Sequence, residues 1–138
     1  MVIVEFAPAL TDAANRAALA FRAAVEAAAW DGVAETSVTL KSALVRFDPE
    51  RLPHAEIEAR LCDLLAAREW HAAELPAGRT LWRIPAAFGG AAGPQLAEVA
   101  DLVGASEPAL LEELAAHRLR VLTIGFAPGQ PYLGRLPG

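Results

Sequence analysis

The sequence predicts an α+β fold that opens with a split βαβ, ferredoxin-like sheet carrying two helices on one face. Three observations predict it. Runs with the period of a strand and runs with the period of a helix follow one another as β-α-β-β-α-β over residues 1 to about 85. Both helical runs are amphipathic, as helices covering one side of a sheet must be. The strands are joined either tightly or through a helix, and right-handed crossovers then leave few arrangements.

"VIVEF" (2–6) reads as the first strand. Thr11 or Asp12 can cap a helix reaching about Ala29. Phe21 and Val25, with Ala14, Ala18 and Ala28, share one face of it; Asp12, Asn15, Arg16, Arg22 and Glu26 fall opposite, and Leu19 sits on that polar side. "VAETSVTL" (33–40) and "SALVRFD" (42–48) read as two strands joined by a tight turn near Lys41. Pro53 suits the first turn of a helix. Ile57, Leu61, Leu64 and Leu65 then recur at i, i+4, i+7 and i+8, a stripe ending near Arg68. "EWHAAELPAG" (69–78) is a connection. "RTLWRIPAAF" (79–88) reads as the fourth strand, with Pro85 placing its second half at an edge or a bend.

A second segment follows. "FGGAAGP" (88–94) is a glycine-rich turn leading into Pro94 at a helix start. Leu96, Val99 and Leu102 or Val103 give that helix an apolar face, and Gly104 is placed to stop it. Ser106 can cap another helix, with Leu110, Leu114 and His117 on one side. "LRVLTIGF" (119–126) reads as a strand. The chain closes on "GFAPGQPYLGRLPG" (125–138), a stretch whose glycines and prolines predict neither helix nor regular strand.

Composition narrows the function classes. Apolar residues make up 54% of the 138, enough for a packed core. Mean hydropathy is +0.30, raised by alanine, yet no apolar run approaches the roughly 18 residues of a membrane helix. No basic stretch precedes an apolar one at the start, so no signal peptide is expected. Cys62 is alone, which rules out an internal disulfide and leaves no second thiol for zinc; a packed or idle thiol in a reducing cytoplasm is expected. The net charge is −5 and the sequence pI near 5.1, which disfavours contact with phosphate backbones. Residues 96–114 have the outline of a DNA-binding helix-turn-helix. From Gly93 to His117, however, there are five acids and no Lys or Arg. A recognition helix needs donors for base edges and cations for phosphates, so this is a packed helical hairpin.

Few residues suggest chemistry. There is no phosphate-binding GxxxxGK[ST] and no GxSxG nucleophile motif. Gly89, Gly90 and Gly93 form a turn at a helix start whose amides could hold an anion, or simply join two elements. His54 and His71 are expected in solvent, and no histidine has a metal-ligand neighbour at helical spacing. His117, ending a helix, is a dipole partner or a polar site residue. The closing segment is the most informative. Gly125 follows a strand directly, which suggests a bulge or close backbone approach. "APG" (127–129) suits a type II turn with Pro128 at i+1 and Gly129 at i+2. Such a loop is stiff and presents Phe126, Tyr132 and Leu133 beside Gly134. It is either a pocket wall or partner surface, or a cover over a barrel core.

The chain also resembles a known family. "IGFAPGQPYLGRLPG" (124–138) is similar to GFxPGFxYLGGLP of the kinase-A-inhibitor (KipI-like) family, whose members are also described as allophanate hydrolase subunit 1, carboxyltransferase subdomain C/D and the B-type subunit of 5-oxoprolinase. "VIVEF", "NRAALA", "GVAETSVTLKSALVRFDPERL" and "AEIEARL" resemble its N-terminal domain. "IPAAFGGAAGPQLAEVADLVGASEPALLEEL" is similar to its IPVxYGGxxGPDLxxVAxxxGLSxxEVIxxH stretch, ending here at His117. The departures are Gln130 for an aromatic, Arg135 for a glycine, Gln95 for an aspartate, and Ala86 and Ala87 for a valine and often a cysteine.

The resemblance implies a ferredoxin-like domain over 1–78 and, over 79–138, the first part of a cyclophilin-like β-barrel with a helical hairpin inserted. Family members continue past the last motif, so a fragment is expected. It further implies a subunit of an ATP-dependent 5-oxoprolinase. Such a subunit works with a homologous A-type cyclophilin-like subunit and a third subunit, on 5-oxoproline, with ATP and magnesium bound by the complex. The alternatives within the family are an inhibitor of histidine kinase autophosphorylation and a carboxyltransferase or allophanate hydrolase-type subunit. The implied site is a substrate or partner loop of Gly125, Phe126, Pro128, Gly129, Tyr132, Leu133 and Gly134, with His117 and the Gly89, Gly90 and Gly93 turn as lesser candidates. No catalytic residue, metal, nucleic acid or membrane is implied.

Overall fold

The computed structural model describes residues 1–125 and 127–134. Two strands enclose a third that is antiparallel to both. β1 (Val2–Glu5) pairs with β3 (Ser42–Phe47), Val2 facing Val45 and Val4 facing Ala43. β2 (Val33–Val38) pairs with the other side of β3, Thr36 facing Val45. The sheet order is therefore β1-β3-β2. β1 and β2 run parallel with β3 between them, and the helix α1 (Asp12–Ala28) makes the crossover. α2 (His54–Ala66) follows β3.

Alternation along β3 explains why it is central. Ala43, Val45 and Phe47 point inward and are buried, while Arg46 points outward to pair with Glu35 of β2 at 2.7 Å. Against the inward residues lie Ala17, Phe21 and Val25 of α1 and Ile57 and Leu61 of α2. Both helical stripes thus face the core, although Ala28 near the end of α1 is exposed and Leu64 and Leu65 of α2 are half-buried. Thr11 is the cap of α1, its Oγ1 accepting from the Ala14 amide at 3.0 Å. The β2–β3 turn falls at Leu40 and Lys41, the Thr39 amide donating to the Ser42 carbonyl at 2.9 Å.

Two expectations for this part are corrected, and the connection at 69–78, which is found as expected, carries an unexpected core residue. Asn15 is fully buried, although its helix position places it on the polar face. It is drawn inward because its amide has backbone carbonyls to bond there. Residues 79–88 form no strand. Pro85 supplies no ladder N–H, and Trp82 and Ile84 are about 77% and 80% exposed, so the sheet has three strands among the described residues. The connection at 69–78 hides a core residue. Trp70 packs edge-on against Phe21 at 5.0 Å between ring centres, and its Nε1–H donates to the Leu65 carbonyl at 2.9 Å. That bond satisfies the one polar atom a buried tryptophan carries.

The described residues divide into two compact units, Met1–Arg79 with Leu122–Tyr132, and Thr80–Val121 with Leu133 and Gly134. In the second unit, α3 (Leu96–Val103) ends at Gly104, whose φ of 68° is the left-handed conformation that stops a helix. α4 (Glu107–Ala116) begins at Ser106, whose side chain accepts from the Ala109 amide at 3.3 Å. The two helices form the expected hairpin, but the apolar face expected of α3 is not packed: Val99, Leu102 and Val103 are exposed, and Ala100 is the buried residue of α3. A two-stranded sheet, most of whose residues belong to the first unit, pairs β4 (Val121–Ile124) with β5 (Pro131–Leu133). β5 corrects the expectation that the closing segment holds no regular strand. Pro131 is its first residue, the one strand position where a missing N–H costs least.

Candidate functional site

The closing loop is a hairpin turn. The Gln130 amide donates to the Ala127 carbonyl at 3.0 Å, and Gly129 has φ of 77°. Pro128 and Gly129 therefore occupy the central positions expected of a type II turn, where only glycine takes the positive φ without strain. Outside the turn, the Gly125 amide donates to the Gln130 carbonyl at 3.1 Å, and the Gly134 amide to the Arg120 carbonyl at 2.8 Å. At Gly125 the expectation is a bulge or a close backbone approach; among the described residues a Cβ there would meet nothing within 4 Å, so no close approach is found among them. Its role is to carry the chain from β4 into the turn. Tyr132 is about 39% exposed and Leu133 is exposed. Phe126 and Leu136 lie outside the described residues.

One side chain ties this hairpin to its unit. Asn15 Nδ2 donates to the Leu122 carbonyl of β4 at 3.2 Å and to the Leu40 carbonyl of the β2–β3 turn at 2.8 Å. Sequence reasoning placed Asn15 on the polar face of α1. The available signal was an asparagine in the first turn of an alanine-rich helix, where a short polar side chain favours bonding to backbone groups.

His117 caps its own helix. Its Nδ1 donates to the Glu113 carbonyl at 2.7 Å, answering one of the open carbonyls of the last turn of α4. This uses one ring nitrogen for structure and leaves Nε2 for other contacts. In the Gly89 turn, the Gly89 carbonyl accepts from the amides of Ala92 and Gly93, each at 3.2 Å. Those two amides are bonded within the turn. Gly93 is required there, since a Cβ would lie 2.7 Å from the Gly89 nitrogen.

His54 stacks edge-on against Phe47 at 4.8 Å and is exposed, as expected. His71 is exposed too, but anchored: Nε2 donates to the Phe6 carbonyl at 2.8 Å and Nδ1 lies 3.2 Å from Glu69. The Glu69 carboxyl is held below its ordinary value, first by the His71 backbone amide and then by its ring. Cys62 is exposed on α2. Among the described residues no three His, Cys, Asp or Glu gather to hold a metal ion. Among them, too, no helix is long and apolar enough to cross a membrane. Two shallow grooves flank α1 in the first unit, one beside Trp30 and Glu35, the other beside Leu64 and Trp70. None of the expected site residues lines either groove.

An antiparallel-sheet and helix protein with a glycine-proline hairpin is the class defined so far. The family model for the carboxyltransferase domain, subdomain C and D, matches residues 1–138, and the chain belongs to that family. A curated relative, the B-type subunit of 5-oxoprolinase from Escherichia coli O157:H7, is 48% identical over 54 residues, which are 39% of this chain and 25% of the relative. Among solved structures, TTHA0988 in one crystal form superposes with a TM-score of 0.71 at 27% identity, covering 98% of this chain and 25% of that one. In another crystal form the values are 0.72, 25%, 99% and 24%. The chain thus matches about a quarter of the length of these relatives.

Proposed function

We propose that the protein is the B-type subunit of an ATP-dependent 5-oxoprolinase, which opens 5-oxoproline to glutamate. The observation that carries this reading is the 48% identity to a protein named as that subunit of 5-oxoprolinase. The chemistry is demanding because a five-membered lactam resists hydrolysis. Coupling ring opening to phosphoryl transfer from ATP activates the amide. A reaction of this kind needs a site that stabilises developing negative charge and excludes water. In this proposal the chain supplies a wall of that site, the stiff turn Gly125–Gln130 with Tyr132 and Leu133. His117, through Nε2, and the Gly89 turn are secondary contributors. ATP and its magnesium are bound by the complex, formed with the homologous A-type subunit and a third subunit, and the assembly is cytoplasmic.

The fold reading that accompanies this proposal is a ferredoxin-like domain over residues 1–78 and the opening of a cyclophilin-like barrel over 79–138. The split βαβ of β1, α1, β3 and β2 supports the first half. A second functional reading, part of a carboxyltransferase, is favoured by the description of the family model itself. It requires a biotin-carrying partner, because this sequence offers no carrier lysine motif.

Co-expression with the candidate partners tests the proposal. The expected result is a stable complex that turns 5-oxoproline into glutamate, with Tyr132→Ala lowering kcat/KM at least tenfold while the complex still assembles. A complex that forms and transfers carboxyl groups from biotin, with no action on 5-oxoproline, moves the assignment to the second reading.

A further inference from the structure

Among the described residues, the β4–β5 hairpin has little to hold it. Its strands are four and three residues long, and a lone two-stranded hairpin is marginal in water. Val121, Ile124, Tyr132 and Leu133 are all exposed, and Leu122 is the strand residue that is buried. Asn15 reaches the backbone at that residue. Its side chain has no solvent contact, and its two N–H bonds point to two carbonyls from distant parts of the chain, Leu122 and Leu40. A buried amide is tolerated only where its hydrogen bonds are made, so α1 carries an otherwise unfavourable residue for the sake of these contacts.

We infer that Asn15 is a positioning residue for the closing loop: it clamps β4 to the β2–β3 turn and so fixes where the Gly125–Gln130 turn is presented. Leu122 is three residues before Gly125, too short a tether for the turn to wander if the strand is held. What the loop is positioned for rests on the 5-oxoprolinase reading; the clamp itself does not. Asn15→Asp is the sharpest variant. It keeps the size of the side chain but faces two carbonyl oxygens with an acceptor, so both bonds are lost and repulsion replaces them.

Hydrogen exchange on the full-length protein reads the clamp directly. In Asn15→Asp, amides in 122–132 are expected to exchange at least tenfold faster, while those of Val45 and Phe47 in β3 change less than threefold. An equal rise in β3 would make Asn15 a general core residue and overturn the inference, as would an unchanged hairpin. If the variant does not fold, the wild-type Asn15 side-chain NH2 decides. Its protons are expected to exchange at least tenfold more slowly than those of a solvent-exposed amide side chain, and free exchange overturns the clamp. In the assembled enzyme the same variant is expected to raise KM for 5-oxoproline at least fivefold with kcat changed less than threefold. A loosened hairpin in a protein with no 5-oxoproline activity keeps the clamp and ends the enzyme reading; an unchanged hairpin in an active enzyme does the reverse.

Discussion

Ala29 closes α1 with φ of 47° and ψ of 41°, a left-handed conformation that costs an alanine and suits a glycine. Ala29→Gly is therefore expected to stabilise the first unit by about 1 kcal/mol, read as a raised denaturant midpoint with an unchanged slope. Gly32 is the opposite case. Its φ is 90°, and a Cβ would lie 2.7 Å from the Cβ of buried Leu52. Gly32→Ala combines backbone strain with overpacking and is expected to cost roughly 2–4 kcal/mol in the same experiment.

Glu26 supplies a pH effect. Its carboxylate is held below the ordinary range, first by the Thr36 hydroxyl, which donates at 2.7 Å, and then by the Arg22 guanidinium at 2.6 Å. A carboxyl titrating lower in the folded than in the unfolded chain stabilises the fold above its unfolded value. That gain disappears as pH falls through the folded value. Half of this side chain is in water, so the gain stays under about 1 kcal/mol. Glu26→Gln is expected to flatten the acid side of the stability profile between pH 5 and 3 by about that amount, measured by denaturant titration.

The helices and the central sheet could be read from spacing alone, because each buries a face whose period the sequence states. α1 and α2 bury Phe21, Val25, Ile57 and Leu61, and the caps Thr11, Gly104 and Ser106 carry out the roles their residue types suit. Thr11→Ala is expected to cost about 1 kcal/mol, with the loss confined to the first turn of α1 by amide exchange. What was not legible depended on partners far along the chain. The run at 79–88 has the composition of a strand, but composition does not supply a neighbour to pair with. Asn15 bonds a carbonyl 107 residues away, and Trp70 packs into the core from a stretch that has no period. The turn chemistry of Pro128 and Gly129 was legible, since φ preferences are local. The strand that follows it was not, because three residues carry too little pattern.

At the scale of the whole molecule, one core in the first unit joins sheet, both helices and the Trp70 connection. Phe21 lies at its centre, in edge contact with Phe6 at 5.5 Å and Trp70 at 5.0 Å, and fully buried. Phe21→Ala is expected to cost about 3–5 kcal/mol and to unfold this unit at ordinary temperatures. Family membership places the chain among carboxyltransferase subdomain C and D proteins, a group in which fold alone does not separate activities. The central claim, a B-type 5-oxoprolinase subunit, is therefore tested most directly by function. The measurement is phosphate release from ATP by the full complex, with and without 5-oxoproline and with and without this chain. The account predicts release only when both 5-oxoproline and this chain are present. Release that persists when either is left out would contradict it.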